Sequence, residues 1–299
     1  MPRNIPYVMC RYRMTVDESP LSGREQLRAL MDIRGTVVAH RKSDPSPDDA
    51  DTLIMKPQAI EVIEDNVLTW YVGQQLTGRS ETLYDREIDD LREEWSGSSA
   101  VKYARFVAIP RLGVVAISDR TGDNHINASS AISRMKSVFR QAVRGGDIWI
   151  ELAASHADAQ KAIRDWSLSR FDFDVRPFNP HPRHPGEILS SLLARDNIGT
   201  LRARATPAPG RDMKANDGGC IEEAVGLAEA GYGQYGLQGT TAEGRQVALR
   251  KPKFDLDKER NQNIQRAPQQ LRVYLEPQES ELAELAEAAA ALIEFYGGA

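Results

Sequence analysis

A chain of 299 residues, 41% apolar and 27% charged, carries enough apolar material for a substantial core and suits two modest domains or one large one. Its net charge of −5 excludes a general polycation, so any contact with nucleic acid has to come from a local basic patch. Two cysteines, Cys10 and Cys220, lie too far apart to suggest a disulfide framework, and no run of about eighteen apolar residues marks a membrane span. The opening stretch "MPRNIPYVMCRYRM" is too short and too broken by Arg and Pro for a secretory signal. The expectation is a soluble, cytoplasmic protein with reduced thiols and no membrane contact.

The first strand falls on "IPYVMCRYRMTV" (Ile5 to Val16), rich in strand formers. "LSGREQLRALMDI", with Leu27, Leu30 and Met31 at helical spacing, predicts a short helix, and "GTVVAHR" a second strand. "KSDPSPDDADT" collects Ser, Pro and Asp and reads as a loop. "AIEVIED" and "VLTWYVGQQL" form a hairpin turning at "DN". "SETLYDREIDDLREEW" is charged and helix-compatible. "KYARFVAIPRLGVVAISDR" is strand, tight turn and strand, with the turn at Pro110 to Gly113 and both strands covered on two faces.

"NASSAISRMKSVFRQAVRGG" is the best helix of the first half, with Ile132, Met135, Val138, Phe139 and Val143 as its apolar stripe and "GG" as its stop. A strand "DIWIELA" and a Ser-capped helix "SHADAQKAIRDW" follow. "RFDFDVRPF" alternates strictly, with Phe171, Phe173 and Val175 on one side and Asp172, Asp174 and Arg176 on the other. "GEILSSLLARDN" is a short helix expected to turn Ile188, Leu189, Leu192 and Leu193 inward, and "TLRARATP" a strand with Arg202 and Arg204 in alternate positions. "CIEEAVGLAEAG" is helical, "YGQYGLQG" and "RQVALRKP" are paired strands across "TTAEG", and "QESELAELAEAAAALIEFY" is an acidic amphipathic helix with Leu282, Leu285 and Leu292 near one face. The order of elements gives an α+β fold with mixed, largely antiparallel sheets and helices packed on them.

His181, His184 and Glu187 could surround one cation, since zinc takes imidazole and carboxylate ligands. They follow a proline-broken loop with no i, i+4 register to aim both imidazoles, so the reading is a connector into a helix, with Pro185 near its first position and Glu187 in its first turn. The chain has no GxGxxG after a strand, no GxxxxGK[ST] and no GxSxG elbow. No catalytic residue, metal or cofactor is assigned. Asp172 and Asp174 on one strand face leave a metal-dependent nuclease or phosphodiesterase as the alternative, and pairing with nearby arginines as its plainer counterpart.

The stronger signal is basic. Residues 170–272 hold 16 Lys and Arg against 13 Asp and Glu, a surplus of three, while the rest of the chain holds 22 against 30. One cluster is Arg195, Arg202, Arg204, Arg211 and Lys214, and a second contains Arg245, Arg250, Lys251 and Lys253, continuing to Lys258 and Arg260. Clustered Lys and Arg are what phosphate contact requires, whatever the overall charge.

The middle of the chain resembles the RexA-like phage-exclusion proteins and related defence-associated proteins. The residues that carry this are the hairpin "FVAIPRLGVVAIS", a long helix, the strand "IWIEL", and the alternating strand "RFDFDVRP" ending at Asn179–Pro180, with a Gly-containing hairpin "YGLQGTTAEGRQVALRKP" further on. The likeness runs from about Tyr103 to Pro252 and includes no catalytic motif. It implies a two-lobed protein that dimerises and binds double-stranded DNA without sequence preference, in a bacterial anti-phage setting that could include a second defence protein. With it, the expected organisation is an α+β lobe over 1–180, a basic α+β lobe over 181–275 and a C-terminal helix over 276–299. The expected function is a non-enzymatic DNA-binding component. The alternatives are the nuclease and a protein-recognition or assembly subunit that uses the C-terminal helix.

Overall fold

A computed structural model describes residues 4–40, 50–76, 83–85, 89–92, 100–120, 122, 124–151, 163–177, 187–251 and 270–297. The fold is α+β, with antiparallel strand pairs throughout the described strands and helices packed on the sheets. It divides into two compact units, Met1–Glu151 with Leu275–Ala299, and Leu152–Tyr274. These units differ from the boundary expected at residue 180. The strand that precedes this position pairs with strands beyond it, and the C-terminal helix packs within the first unit.

In the first unit the strands are β1 (Ile5–Val16), β2 (Ser19–Pro20), β3 (Val38–Ala39), β4 (Ala50–Val62), β5 (Asp65–Leu76), β6 (Leu83–Asp85), β7 (Asp90–Arg92), β8 (Ala100–Ile109), β9 (Val114–Ser118) and β10 (Gly146–Glu151). Its helices are α1 (Gly23–Asp32), α2 (Ala128–Ala142) and the C-terminal helix Glu281–Tyr296. Hydrogen bonding runs β3–β4–β5–β8–β9–β1, and β10 joins β1 along Arg11–Val16.

Register decides which helix covers which face. Thr52, Ile54, Val72 and Ala104 share one face of β4, β5 and β8, and Met55, Tyr71 and Arg105 share the other. Arg134 of α2 donates to Thr52 and Asp51, so α2 lies on the first face, where Trp70 stacks on Phe106 with centroids 5.2 Å apart. The C-terminal helix reaches Tyr71 through Glu281 and Arg105 through Glu284, so it covers the second. On that face Gly73 admits the Val101 and Met55 side chains, which would lie 2.6 and 2.7 Å from a Cβ.

Local signals account for the helix starts. Glu25 accepts from the Ser22 amide at 2.7 Å, and the Asn127 side chain accepts from the Ser130 amide at 2.8 Å. The turn at Pro110 to Gly113 forms as expected, with Gly113 at φ +62°, and all five residues of β9 are buried.

Three local expectations are corrected. The β4–β5 hairpin turns at Ile63 and Glu64, with φ +49° and +63°, two residues before "DN". Asp65 is drawn into the ladder opposite Val62, where its carboxylate takes two hydrogen bonds from Arg111 at 2.8 and 2.9 Å. The charged segment expected to be helical contains the strands β6 and β7, because pairing to each other and of Leu83 to Ala100 overrides helix propensity. Leu282, expected on the covered face of the C-terminal helix, is exposed, and Ala288, Ala289 and Ala291 fill the buried stripe with Leu285 and Leu292.

The second unit contains β11 (Ser167–Val175), α3 (Glu187–Arg195), β12 (Leu201–Ala205), α4 (Cys220–Leu227), a π-helical turn over Ala228–Tyr232, β13 (Gly233–Thr240), β14 (Gln246–Lys251) and β15 (Gln270–Leu275). Hydrogen bonds give the order β12–β11–β13–β14–β15. Leu168, Phe171, Phe173, Val175, Tyr235, Leu237, Val247, Leu249, Leu271 and Val273 are buried. Alternation in these strands places them on one face, under α4 with its buried Ala224, Val225 and Leu227. Helix α3 packs on α4 in a different rotation from that expected: Leu193 and Ser190 are buried, while Ile188 and Leu192 are exposed. Glu223 of α4 sets this rotation by accepting the Leu189 amide at 2.9 Å. His181, His184, Lys253 and most of the helix expected over 155–166 lie outside the described residues, as does the side chain of Glu187.

Candidate polyanion-binding face

The apolar face of the second unit's strands is covered, and their opposite face is polar and open. Antiparallel register sets the rows of that face directly. Arg204, Asp172, Gly236, Arg250 and Gln270 form one row across the five strands, and Arg202, Asp174 and Gln234 form the next row on one side. Arg170, Gln238, Ala248 and Arg272 form the row on the other side. These residues, with Tyr274, line a cleft of about 890 Å3. Gly236 and Ala248 keep its floor low, and the longer side chains stand around it.

Ion pairs hold the arginines in place. Arg202 Nε donates to Asp174 at 2.7 Å and Arg204 Nε to Asp172 at 2.6 Å, each across the β11–β12 ladder. Arg170 donates to the second oxygen of Asp172. Partial desolvation opposes ionisation of Asp172, but hydrogen bonds from Arg204 and Arg170 outweigh it and hold the carboxyl below its usual range. Arg202 and Arg204 keep 75% and 61% of their side-chain surface exposed, so both can still meet a ligand. Arg272 donates to Gln270 at 3.5 Å. Arg250 is exposed and has no ion-pair partner among the described residues. Among the described residues, the side chains that face the cleft are five arginines against two aspartates, a surplus of three positive charges; Lys251 also borders the cleft, but its ammonium turns to the other face and Glu229.

The sequence-derived set divides on this geometry. Arg202, Arg204 and Arg250 meet in the cleft. Arg195 ends α3 beside Asp196 at 3.6 Å, Arg211 and Lys214 are exposed on either side of Met213, whose carbonyl accepts from the Leu168 amide, and Arg245 is half-buried at the β13–β14 turn. None of these four lines the cleft. Lys251 differs from the expectation of an exposed cation. It sits on the apolar face, its Nζ bonded to the Ala228 carbonyl and 3.5 Å from Glu229, with 3% of its side chain exposed. Tyr235 also donates to Glu229, at 3.0 Å, and burial first and the Glu229 charge second push its hydroxyl pKa upward.

Sequence reasoning missed Arg170, Arg272 and Tyr274 as members of the face. The signal was period-two alternation: Arg170 precedes Asp172 by two, and "QLRVYL" alternates Gln270, Arg272 and Tyr274 with buried Leu271, Val273 and Leu275.

Asp172 and Asp174 satisfy the plainer reading, pairing with arginines. Among the described residues no group of three His, Cys, Asp or Glu is arranged to hold a metal ion. No described helix is long and apolar enough to cross a membrane. No protein-family model matches the chain, and no curated protein matches its sequence.

Proposed function

We propose that the protein is a non-enzymatic, sequence-nonspecific DNA-binding component of a bacterial anti-phage defence system, and that the arginine-rich cleft of its second unit is the contact surface. The observation that carries the DNA contact is the surplus of three positive charges around one open cleft. The defence setting and the homodimer rest on the likeness of Tyr103–Pro252 to the RexA-like proteins, and the cytoplasmic location on the reading of Cys10 and Cys220 as reduced thiols in a chain with no apolar run of membrane length. A dimer carrying two such faces would gain avidity on a long polymer.

The nuclease reading has less support. A catalytic cation at Asp172 and Asp174 would have to displace Arg170, Arg202 and Arg204 from the carboxylates first. The assembly reading is left the outer face of the C-terminal helix, with exposed Leu282, since the inner face packs on its own unit, with Leu285 and Leu292 buried and Glu284 bonded to Tyr7 and Arg105.

The test is fluorescence anisotropy of labelled DNA with chelator present. Three phosphate contacts at ~0.7 counterions each on a single strand give a log–log salt slope of about −2, so affinity should fall about 20-fold between about 50 and about 200 mM salt. Binding insensitive to salt, or no binding at the lower salt, would overturn the proposal.

A further inference from the structure

We infer that the cleft takes a single nucleic-acid strand, with its bases turned onto the sheet, in preference to a duplex. This rests on the nucleic-acid reading above and specifies the form of the ligand.

The first argument is shape. The cleft runs across strands β12 to β15, four interstrand steps of ~4.8 Å, or about 19 Å. Its floor is Gly236 and Ala248, and its volume of about 890 Å3 falls in the range of ~300–1,000 Å3 typical of sites that enclose small ligands. A stiff duplex, whose major groove alone is ~12 Å wide, can only rest on the rims of such a depression. A single strand can enter it.

The second argument is chemistry. Gln234, Gln238 and Gln270 line the cleft between the arginines, and Gln270 accepts from Arg272. Each amide offers both donors and an acceptor, which suits the edge of an unpaired base and is redundant for phosphate alone. Tyr274, half-buried on the same face, offers a ring for stacking. Asp172 and Asp174 grip Arg170, Arg202 and Arg204 through Nε and restrain the guanidinium planes, and such planes also stack on bases. A surface that met only a duplex backbone would need the cations without the amides and the ring.

The floor provides a clean perturbation. A Cβ added at Gly236 meets nothing within 4 Å, so Ala fits there without displacing the backbone, and Val and Leu extend the series up into the cleft. They would fill the cleft from below and remove no arginine.

The experiment compares a labelled oligothymidylate of about a dozen nucleotides, within the ~4–16 nucleotides that single-strand-binding sheet folds cover, with a duplex of equal length, at the same salt. The wild type should bind the single strand at least tenfold more tightly. The series Gly236→Ala, Gly236→Val and Gly236→Leu should weaken single-strand binding progressively, reaching at least tenfold for Leu, with an unchanged urea midpoint. Equal or tighter duplex binding by the wild type overturns this inference and leaves the nucleic-acid reading standing. So does single-strand binding indifferent to a folded Gly236→Leu. Failure of the wild type to bind either form overturns both.

Discussion

Replacing Asp172 with Asn should make the protein a better binder. Asp172 accepts from Arg170 and Arg204, and its removal raises the charge surplus of the cleft from three to four. Each added contact to a single strand releases ~0.7 counterions, so the salt slope should steepen from about −2 to about −3. If the added contact is neutral at about 1 M salt, affinity should rise about eightfold at about 50 mM and about threefold at about 200 mM. The substitution is isosteric, and Asn can still accept one of the two hydrogen bonds. The assay is anisotropy over a salt series, run beside a denaturing gel with magnesium or manganese present. The nuclease reading predicts the reverse on the gel, with cleavage by the wild type abolished in Asp172→Asn. A folded Asp172→Asn that binds no better than the wild type at low salt would refute the electrostatic account of the cleft.

Glu284 should be critical to the first unit, because it is buried and accepts from Tyr7 at 2.7 Å and Arg105 at 2.6 Å, with Arg120 at 3.3 Å. Glu284→Ala strands the largely covered Arg105 guanidinium and should lower stability by ~3–5 kcal/mol, read as a shift of the urea midpoint; a loss under ~1 kcal/mol would count against the network. Hydrogen bonding from Arg111 lowers the Asp65 pKa in the folded state, so its stabilisation is present above the usual carboxylate pKa and disappears as pH falls through the lower folded value. Asp65→Asn should therefore have a flatter melting-temperature profile than the wild type below about pH 4, where the unfolded carboxyl titrates. Because the Asp172 pKa is lowered too, that carboxylate stays ionised above about pH 5, and DNA affinity should be flat between about pH 5 and pH 8; a rise with a midpoint in that window would contradict the assigned ion pairs.

Legibility in the sequence followed the range of the interactions. Strand β11 and the face that Asp172 and Asp174 share were readable, because alternation is local. So were the turn at Gly113, where a left-handed φ favours glycine, and the stripe of α2. The partners of Asp172 and Asp174 were not readable, since Arg204 and Arg202 lie 32 and 28 residues away and meet them only through the β11–β12 register. The same holds for Tyr7 and Glu284, 277 residues apart. Lys251 misled because it adjoins Arg250 in "ALRKP", while strand pairing sends Arg250 to the open face and Lys251 beneath the π-helical turn, to the Ala228 carbonyl. The β6–β7 segment misled in the other direction, since its charge pattern suits a helix until Ala100 of β8 offers a partner.

The most direct test of the central claim is the affinity of Arg202→Glu/Arg204→Glu/Arg250→Glu for labelled DNA at about 50 mM salt. All three arginines line the cleft and project from the sheet, so the fold should survive, which circular dichroism and the urea midpoint will check. The reversal changes the cleft by six charges, from three positive to three negative, and the account predicts that binding falls below detection. A folded triple variant that retains wild-type affinity would contradict it and move the contact off this face.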